Sequence, residues 1–294
     1  MKSNYAIVVD STTDLPPNLA EEWGLVVIPY IFTLDGKDYY NHLDYRELPV
    51  KDFYNTLRAG KMATTTQVTA HRYLEAWDPL LKEGKDIIYM CLSAAVSKSY
   101  DQSVMAAKEA MEKYPERKVI TIDTKSASLG QGLLAYYSSK ARNEGKSLEE
   151  NAELINELIP RLHHWLMADD LNHLRRGGRV SASAAFLGTL LSVKPVLTII
   201  GEGRMIPISK VRGVSKAIDS IVKKMEEYNL SPIDQPVFIA HSDSPDAAKQ
   251  LEDAIIAKYG KVKIYSNNIG PVIGAHTGPG GIAAVFLGDE RVKG

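Results

Sequence analysis

Apolar runs in the first half of the chain come in two lengths, and they alternate. Ala6–Val9, ending on Asp10, and Val26–Leu34 are short stretches that predict buried strands. Ile87–Leu92 predicts another, followed by a helical pattern over Ser99–Lys113. Val119–Ile122 closes on Asp123 and precedes a helical pattern over Leu129–Arg142. Strands and helices taking turns predict an α/β fold with a largely parallel sheet flanked by helices. Such sheets bind ligands just beyond the carboxyl ends of their strands, where Asp10-Ser11-Thr12, Ser93 and Asp123-Thr124 fall. A polar residue there also serves to cap the next helix, and Asp123 is read in that role first.

Ser147 is placed to cap a helix in which Leu148, Ala152, Ile155, Ile159, Leu162 and Leu166 recur at spacings of four and three, one core-facing stripe. Pro160 is expected to kink or divide it. The domain boundary is set there, with an N-terminal α/β domain over residues 1–160 and a C-terminal α+β domain over residues 161–294, the ligand between them. Beyond it, Pro195–Ile200 and Ile206–Val211 predict strands joined by a turn at Gly201-Glu202-Gly203, a hairpin that implies a mixed sheet. A helix then carries Val214, Ala217, Ile218, Ile221, Val222 and Met225 on one face. Strand-like Val237–Ala240, helical Asp246–Tyr259, and strand-like Val262–Tyr265 and Ile282–Leu287 complete the domain.

Composition narrows the function. At 294 residues the chain exceeds the usual single-core size, which fits two domains. Its 45% hydrophobic and 24% charged content is ordinary for a soluble globular protein. The net charge of −1 argues against broad attraction to nucleic acid or to a membrane surface. No run approaches the ~18 apolar residues that span a bilayer, and the first residues, MKSNYAIVVDS, hold too short an apolar stretch for a secretory signal. A cytoplasmic protein is expected. Cys91, the one cysteine, lies in the apolar run IIYMCLS and is expected to be a buried, inert thiol.

The most informative segment is LNHLRRGGRVSASAAFLGTLLSVKPVL, Leu171 to Leu197. Arg175, Arg176 and Arg179, set around Gly177 and Gly178, lead into an apolar, helix-like run from Ala184 to Leu191. A cationic mouth beside a greasy segment suits a ligand with one acidic and one oily end; a surface turn before an ordinary core helix would look the same. Two further polar clusters change the weighing: Thr64-Thr65-Thr66-Gln67 with Ser93, and His276-Thr277-Gly278-Pro279-Gly280-Gly281.

Catalytic motifs are weak by comparison. Ser93 lies in Leu92-Ser93-Ala94 with no G-x-S-x-G elbow, and nothing places an aspartate behind His276. GxxxxGK[ST] is absent. His163 and His164 are adjacent and, on a helix, diverge by ~100°, so they cannot chelate together. No metal or cofactor is expected. A binding site uses the same groups more economically. A carboxylate offers about four lone-pair sites, which hydroxyls of Thr65 and Ser93 and a nitrogen of His276 can satisfy. Burying about 14 methylenes at ~0.8 kcal/mol each gives roughly 11 kcal/mol, whereas each head-group hydrogen bond nets only ~0.5–3 kcal/mol. The apolar tunnel, with Phe186, Leu187, Leu190 and Leu191 as its candidates, would hold such a ligand; the polar cluster would orient it. The alternative is a hydrolase or transferase acting on a small acidic or acyl substrate at the same cleft, using Ser93.

Several spaced motifs together resemble the DegV-like bacterial fatty-acid-binding proteins, the lipid-carrying subunits of fatty acid kinase. Asp10-Ser11-Thr12-Thr13-Asp14-Leu15 is close to that family's D-S-T-x-D-L, and Thr65-Thr66-Gln67-Val68 is similar to its T-S-Q-P. Ser93 to Ser103 resembles its S-S-x-L-S-G-T-Y-x-S, departing at Ala94, Val96, Lys98 and Ser99. Leu174–Val180, Leu187–Leu191, Lys194-Pro195, Lys210-Val211-Arg212 and His276–Gly280 match well. The resemblance implies a two-domain, DegV-like protein that encloses one long-chain fatty acid, its carboxylate meeting Thr65, Ser93 and His276. It also implies presentation to a separate ATP-dependent kinase that makes an acyl phosphate, so that this chain is a carrier rather than the enzyme, and a monomer when alone. Arg212 carries over as the kinase contact, with Arg175, Arg176 and Arg179 as weaker candidates.

Overall fold

The computed structural model describes residues 4–169, 171–180, 193–231 and 235–292. The chain opens with β1 (Tyr5–Asp10), a 3₁₀ turn at Ser11–Thr13, α1 (Pro17–Glu22), β2 (Leu25–Ile28), β3 (Tyr30–Leu34) and β4 (Lys37–Asn41). α2 (Val50–Arg58), β5 (Ala63–Thr66), α3 (Ala70–Lys82), β6 (Asp86–Cys91), α4 (Ser99–Lys113), β7 (Val119–Asp123), α5 (Leu129–Asn143) and α6 (Leu148–Leu158) follow. β1, β2, β6 and β7 form a parallel sheet in the order β2-β1-β6-β7. The expected parallel sheet is therefore present.

Val26–Leu34 was expected to be one extended stretch, and it is two strands in two sheets. Pro29 has no amide to donate to a ladder. Pairing with β1 stops at Ile28, and from Tyr30 the chain joins a separate antiparallel sheet in the order β4-β3-β5. That small sheet, absent from the sequence reading, carries Thr65 opposite Phe32.

The stripe from Leu148 also requires correction. The helix ends at Leu158, a 3₁₀ turn at Ile159–Arg161 contains Pro160, and Leu162 and Leu166 lie on a strand, β8 (Leu162–Met167). Residues four apart share a face on both a helix and a strand, so the spacing could not separate the two. In β8 alternate side chains enter different cores: Leu162 and Leu166 pack with Ile7, Leu133 and Ile155, Trp165 and Met167 with Ile218 and Ile239. His163 and His164 diverge because strand neighbours point to opposite faces. His163 stacks on Phe286 at 5.1 Å, and His164 Nε2 stands 2.9 Å from Ser126 Oγ.

After α7 (Asn172–Arg176) come β9 (Val193–Ile199), β10 (Met205–Arg212), α8 (Val214–Glu227), β11 (Val237–His241), α9 (Pro245–Tyr259), β12 (Ile264–Asn268), α10 (Pro271–Thr277) and β13 (Ile282–Leu287). The sheet order is β10-β9-β8-β13-β11-β12. Only β11 and β12 run parallel in it, so the sheet is mixed as expected. β12 begins at Ile264, two residues later than the predicted Val262. One apolar cluster joins both sides of Pro160, with Ile7, Leu133 and Ile155 packed alongside Phe238 and Val285.

Candidate functional site

Ser93 is held by backbone. β6 is buried almost throughout and paired on both sides. Just past its end, the Ser93 amide donates to the Ser126 carbonyl at 2.9 Å. The Ser93 hydroxyl donates to the carbonyl of Gly203 at 2.9 Å and accepts from the Ala95 amide at 3.2 Å. Gly203, in the turn between β9 and β10, has φ +82°. A Cβ there would stand 2.2 Å from Ser93 Oγ, so only glycine allows this approach.

His276 reaches the same place on α10, a helix that the sequence did not predict. The local chemistry for a helix was present: Pro271 at its first position, where a missing amide does no harm, and Gly278 after its end with φ +73°. Its seven residues are too few to show a period. His276 Nε2 stands 2.8 Å from Thr65 Oγ1, so β5 and α10 meet through a hydroxyl–imidazole pair. Gly177 lies against the other side of the ring; a Cβ there would come within 2.5 Å of Nδ1. Burial, then the nearby Arg179 charge, lowers the His276 pKa to about 4. The imidazole is neutral at pH 7.

Thr65, Ser93 and His276 line one cleft of about 630 Å³, within the ordinary range for small-molecule sites. Leu174, Ile199, Met205, Val272 and Ile273 supply apolar wall. The lining comes from both sides of Pro160. Arg179 also lines it, donating through Nε to the Val96 carbonyl at 3.1 Å and through Nη1 to the Gly177 carbonyl. A smaller neighbouring cleft of about 230 Å³ shares Thr65, His276 and Arg179 and adds Arg176 and His173. Arg175 and Arg212 are exposed and line neither. Phe186, Leu187, Leu190 and Leu191 lie outside the described residues. Val272 and Ile273 were missed by the sequence reading because the helix that carries them was missed. Cys91 is buried, and burial raises its pKa well above the usual thiol value.

The sequence pattern of the DegV family, described as uncharacterised proteins, matches residues 4–289. The chain belongs to the DegV family. A DegV domain-containing protein of Clostridium perfringens is 38% identical over 287 residues, covering 98% of each chain. The fatty-acid-binding DegV family protein of Thermus thermophilus superposes with a TM-score of 0.86 at 29% identity, over 97% of this chain and 99% of that one. DegV of Bacillus subtilis, a fatty acid binding protein, gives a TM-score of 0.81 at 28% identity, over 98% and 100%. The α/β architecture, with its parallel and mixed sheets, is the DegV fold.

Proposed function

We propose that this chain encloses one long-chain fatty acid and presents its carboxylate to a separate ATP-dependent kinase subunit, which forms the acyl phosphate. The observation that carries this reading is the Thr65–His276 pair and the Ser93 hydroxyl set into one wall of a cleft with apolar residues around it. The fatty acid binding of the DegV proteins of Thermus thermophilus and Bacillus subtilis supports it. The carboxylate takes hydrogen bonds from Thr65 and His276, and from Ser93 once its hydroxyl turns from the Gly203 carbonyl. An ionised ligand favours imidazolium, so binding raises the His276 pKa. The acyl chain runs along the apolar wall toward Phe186, Leu187, Leu190 and Leu191, between a domain of residues 1–160 and one of 161–294. The chain is a carrier, a monomer alone and cytoplasmic. The kinase docks on Arg212, with Arg175, Arg176 and Arg179 as weaker candidates for the contact. Supporting a carrier over a hydrolase, Ser93 Oγ bonds a carbonyl and an amide rather than an imidazole.

Native mass spectrometry of the purified protein is expected to show one co-purified fatty acid. With a bacterial fatty acid kinase subunit and ATP, it should yield acyl phosphate. Arg212→Glu should abolish that product while lipid content and melting temperature stay near wild type, because breaking a desolvated interfacial charge pair costs about 2–5 kcal/mol. Protein that never carries lipid sinks the reading; an Arg212→Glu protein of full activity at limiting concentrations moves the docking surface elsewhere.

A further inference from the structure

The Asp10-to-Leu15 segment does not itself line the cleft, yet its hydrogen bonds reach both halves of the head-group site. Asp10 accepts hydrogen bonds from the Thr12 amide at 2.9 Å, from Tyr89 Oη at 3.0 Å and from the Leu92 amide at 3.2 Å, immediately before Ser93. Asp14 reaches the other side. Its Oδ1 accepts from the Gly270 amide at 2.9 Å, and its Oδ2 accepts from Ser128 Oγ at 2.6 Å. Its carbonyl accepts from Asn267 Nδ2 at 2.8 Å. Gly270 is the cap residue immediately before α10. The approach is close, for a Cβ on Gly270 would lie 2.7 Å from Asp14 Oδ1. Two phenols tie the same strand-to-helix segment to the N-terminal residues, Tyr54 Oη to the Ile269 carbonyl at 2.8 Å and Tyr45 Oη to that of Asn268 at 3.3 Å.

We propose that Asp14 is a positioning residue for the head-group site: its carboxyl fixes where α10 begins and so where His276 stands against Thr65. The inference rests on the lipid-binding reading for its purpose, but the contact itself does not. Asp14 is almost completely buried. The ionisable groups that face it are Asp10, Tyr45 and Tyr54, and among the described residues no cation pairs with it. Burial, with Asp10 adding to it, raises its pKa to about 8 against the pull of the Ser128 and Gly270 hydrogen bonds. It is a neutral acid at pH 7. An arrangement in which α10 moves away hydrates the carboxyl and returns it toward its ordinary value. The packed arrangement is therefore fully favoured at acid pH. It loses up to about tenfold per pH unit as pH rises from about 4 to about 8, then levels.

Asp14 adopts φ +51°, a conformation that asparagine also tolerates. Asp14→Asn thus keeps the backbone and the Oδ1 acceptor, removes the titration, and reverses the Ser128 bond so that the amide nitrogen donates to Oγ. The first measurement needs no lipid: NMR of the His276 ring between pH 6 and pH 9, a range well above its own pKa of about 4. Wild type should shift with a midpoint near 8, and Asp14→Asn should stay flat. The second is release of fluorescent cis-parinaric acid into excess palmitate. Wild-type release should quicken toward pH 8, Asp14→Asn should hold its pH 6 rate throughout, and Asp14→Ala, which loses the bonds to Gly270 and Ser128, should release at least roughly tenfold faster at pH 6. Identical His276 traces in wild type and Asp14→Asn overturn the proposal, as does wild-type release from Asp14→Ala. If Asp14→Ala does not fold, the Asn variant decides. A wild-type protein that takes up no fatty acid sinks the lipid reading, while the NMR comparison still tests the positioning.

Discussion

Residues before Pro160 bury two carboxyls, Asp10 and Asp14, whereas those beyond it bury imidazoles, His163, His164 and His241, and half-bury His276 beside the cleft. Burial acts on both kinds in the same way, by penalising charge. It raises the pKa of Asp10 and carries that of Asp14 to about 8. It lowers His163 to about 4, His164 to about 3 and His276 to about 4. Asp14 and these imidazoles are thus neutral near pH 7, and the cleft meets its ligand with hydroxyls, an uncharged ring and the Arg179 guanidinium. The difference lies in which pH limit each half resists. A raised carboxyl loses its stabilising contribution as pH rises toward the folded pKa. A lowered imidazole loses its contribution as pH falls from about 6.5 toward its folded value.

The largest expected effect tests the basic half. Between pH 6.5 and pH 4, each buried histidine should remove up to about 1.4 kcal/mol of stability per pH unit, while Asp14 returns up to the same amount over that window. Melting temperature against pH should show this steep acid limb, and His164→Gln should flatten it, since an amide can still meet Ser126 Oγ without titrating. An acid limb unchanged in that variant would place the titration elsewhere and break the comparison.

A smaller effect sharpens the joint between the halves. Gly203→Ala places a Cβ 2.2 Å from Ser93 Oγ and 3.0 Å from Lys125 Cα in a left-handed backbone. Left-handed strain of ~1–2 kcal/mol and overpacking of ~1–3 kcal/mol add to about 3 kcal/mol. Calorimetry should show a fall of roughly 6–12 °C in melting temperature. Unchanged melting would mean that the turn is free to leave Ser93. Smallest is Gly177→Ala, whose backbone φ of −70° is ordinary and whose Cβ meets mainly the His276 ring. About 1 kcal/mol of stability is expected to go, with retained fatty acid falling far more than melting temperature. Equal losses of both would mean that His276 supports the fold rather than the ligand.

Much of this protein was legible because local chemistry and burial agreed. β1, β6 and β7 are short apolar runs closing on polar residues, and α4, α5 and α9 lie within a residue or so of their periodic patterns. Ser93 at a strand end and the glycine turn before β10 could be read in the same way. Thr65 and His276 were legible as polar residues in suggestive company, but the supports that bring them together were not. β5 has four residues and α10 seven, too short for period to speak, and the small antiparallel sheet depends on Pro29 diverting the chain. Leu162 and Leu166 misled because a four-residue spacing fits helix and strand alike.

By itself, then, the sequence determined the alternation of strands and helices, the mixed character of the second sheet and the identity of the polar groups that meet in the cleft. Only the tertiary structure decided that Thr65 pairs with His276, that Ser93 leans on Gly203, and that Asp14 bonds the residue capping the helix that carries the histidine. The reason is physical. Periodicity and capping act over a few residues along the chain. The Asp14–Gly270 bond spans 256 positions and the Thr65–His276 pair 211, so both exist only once separate apolar faces have packed and set the distances between them.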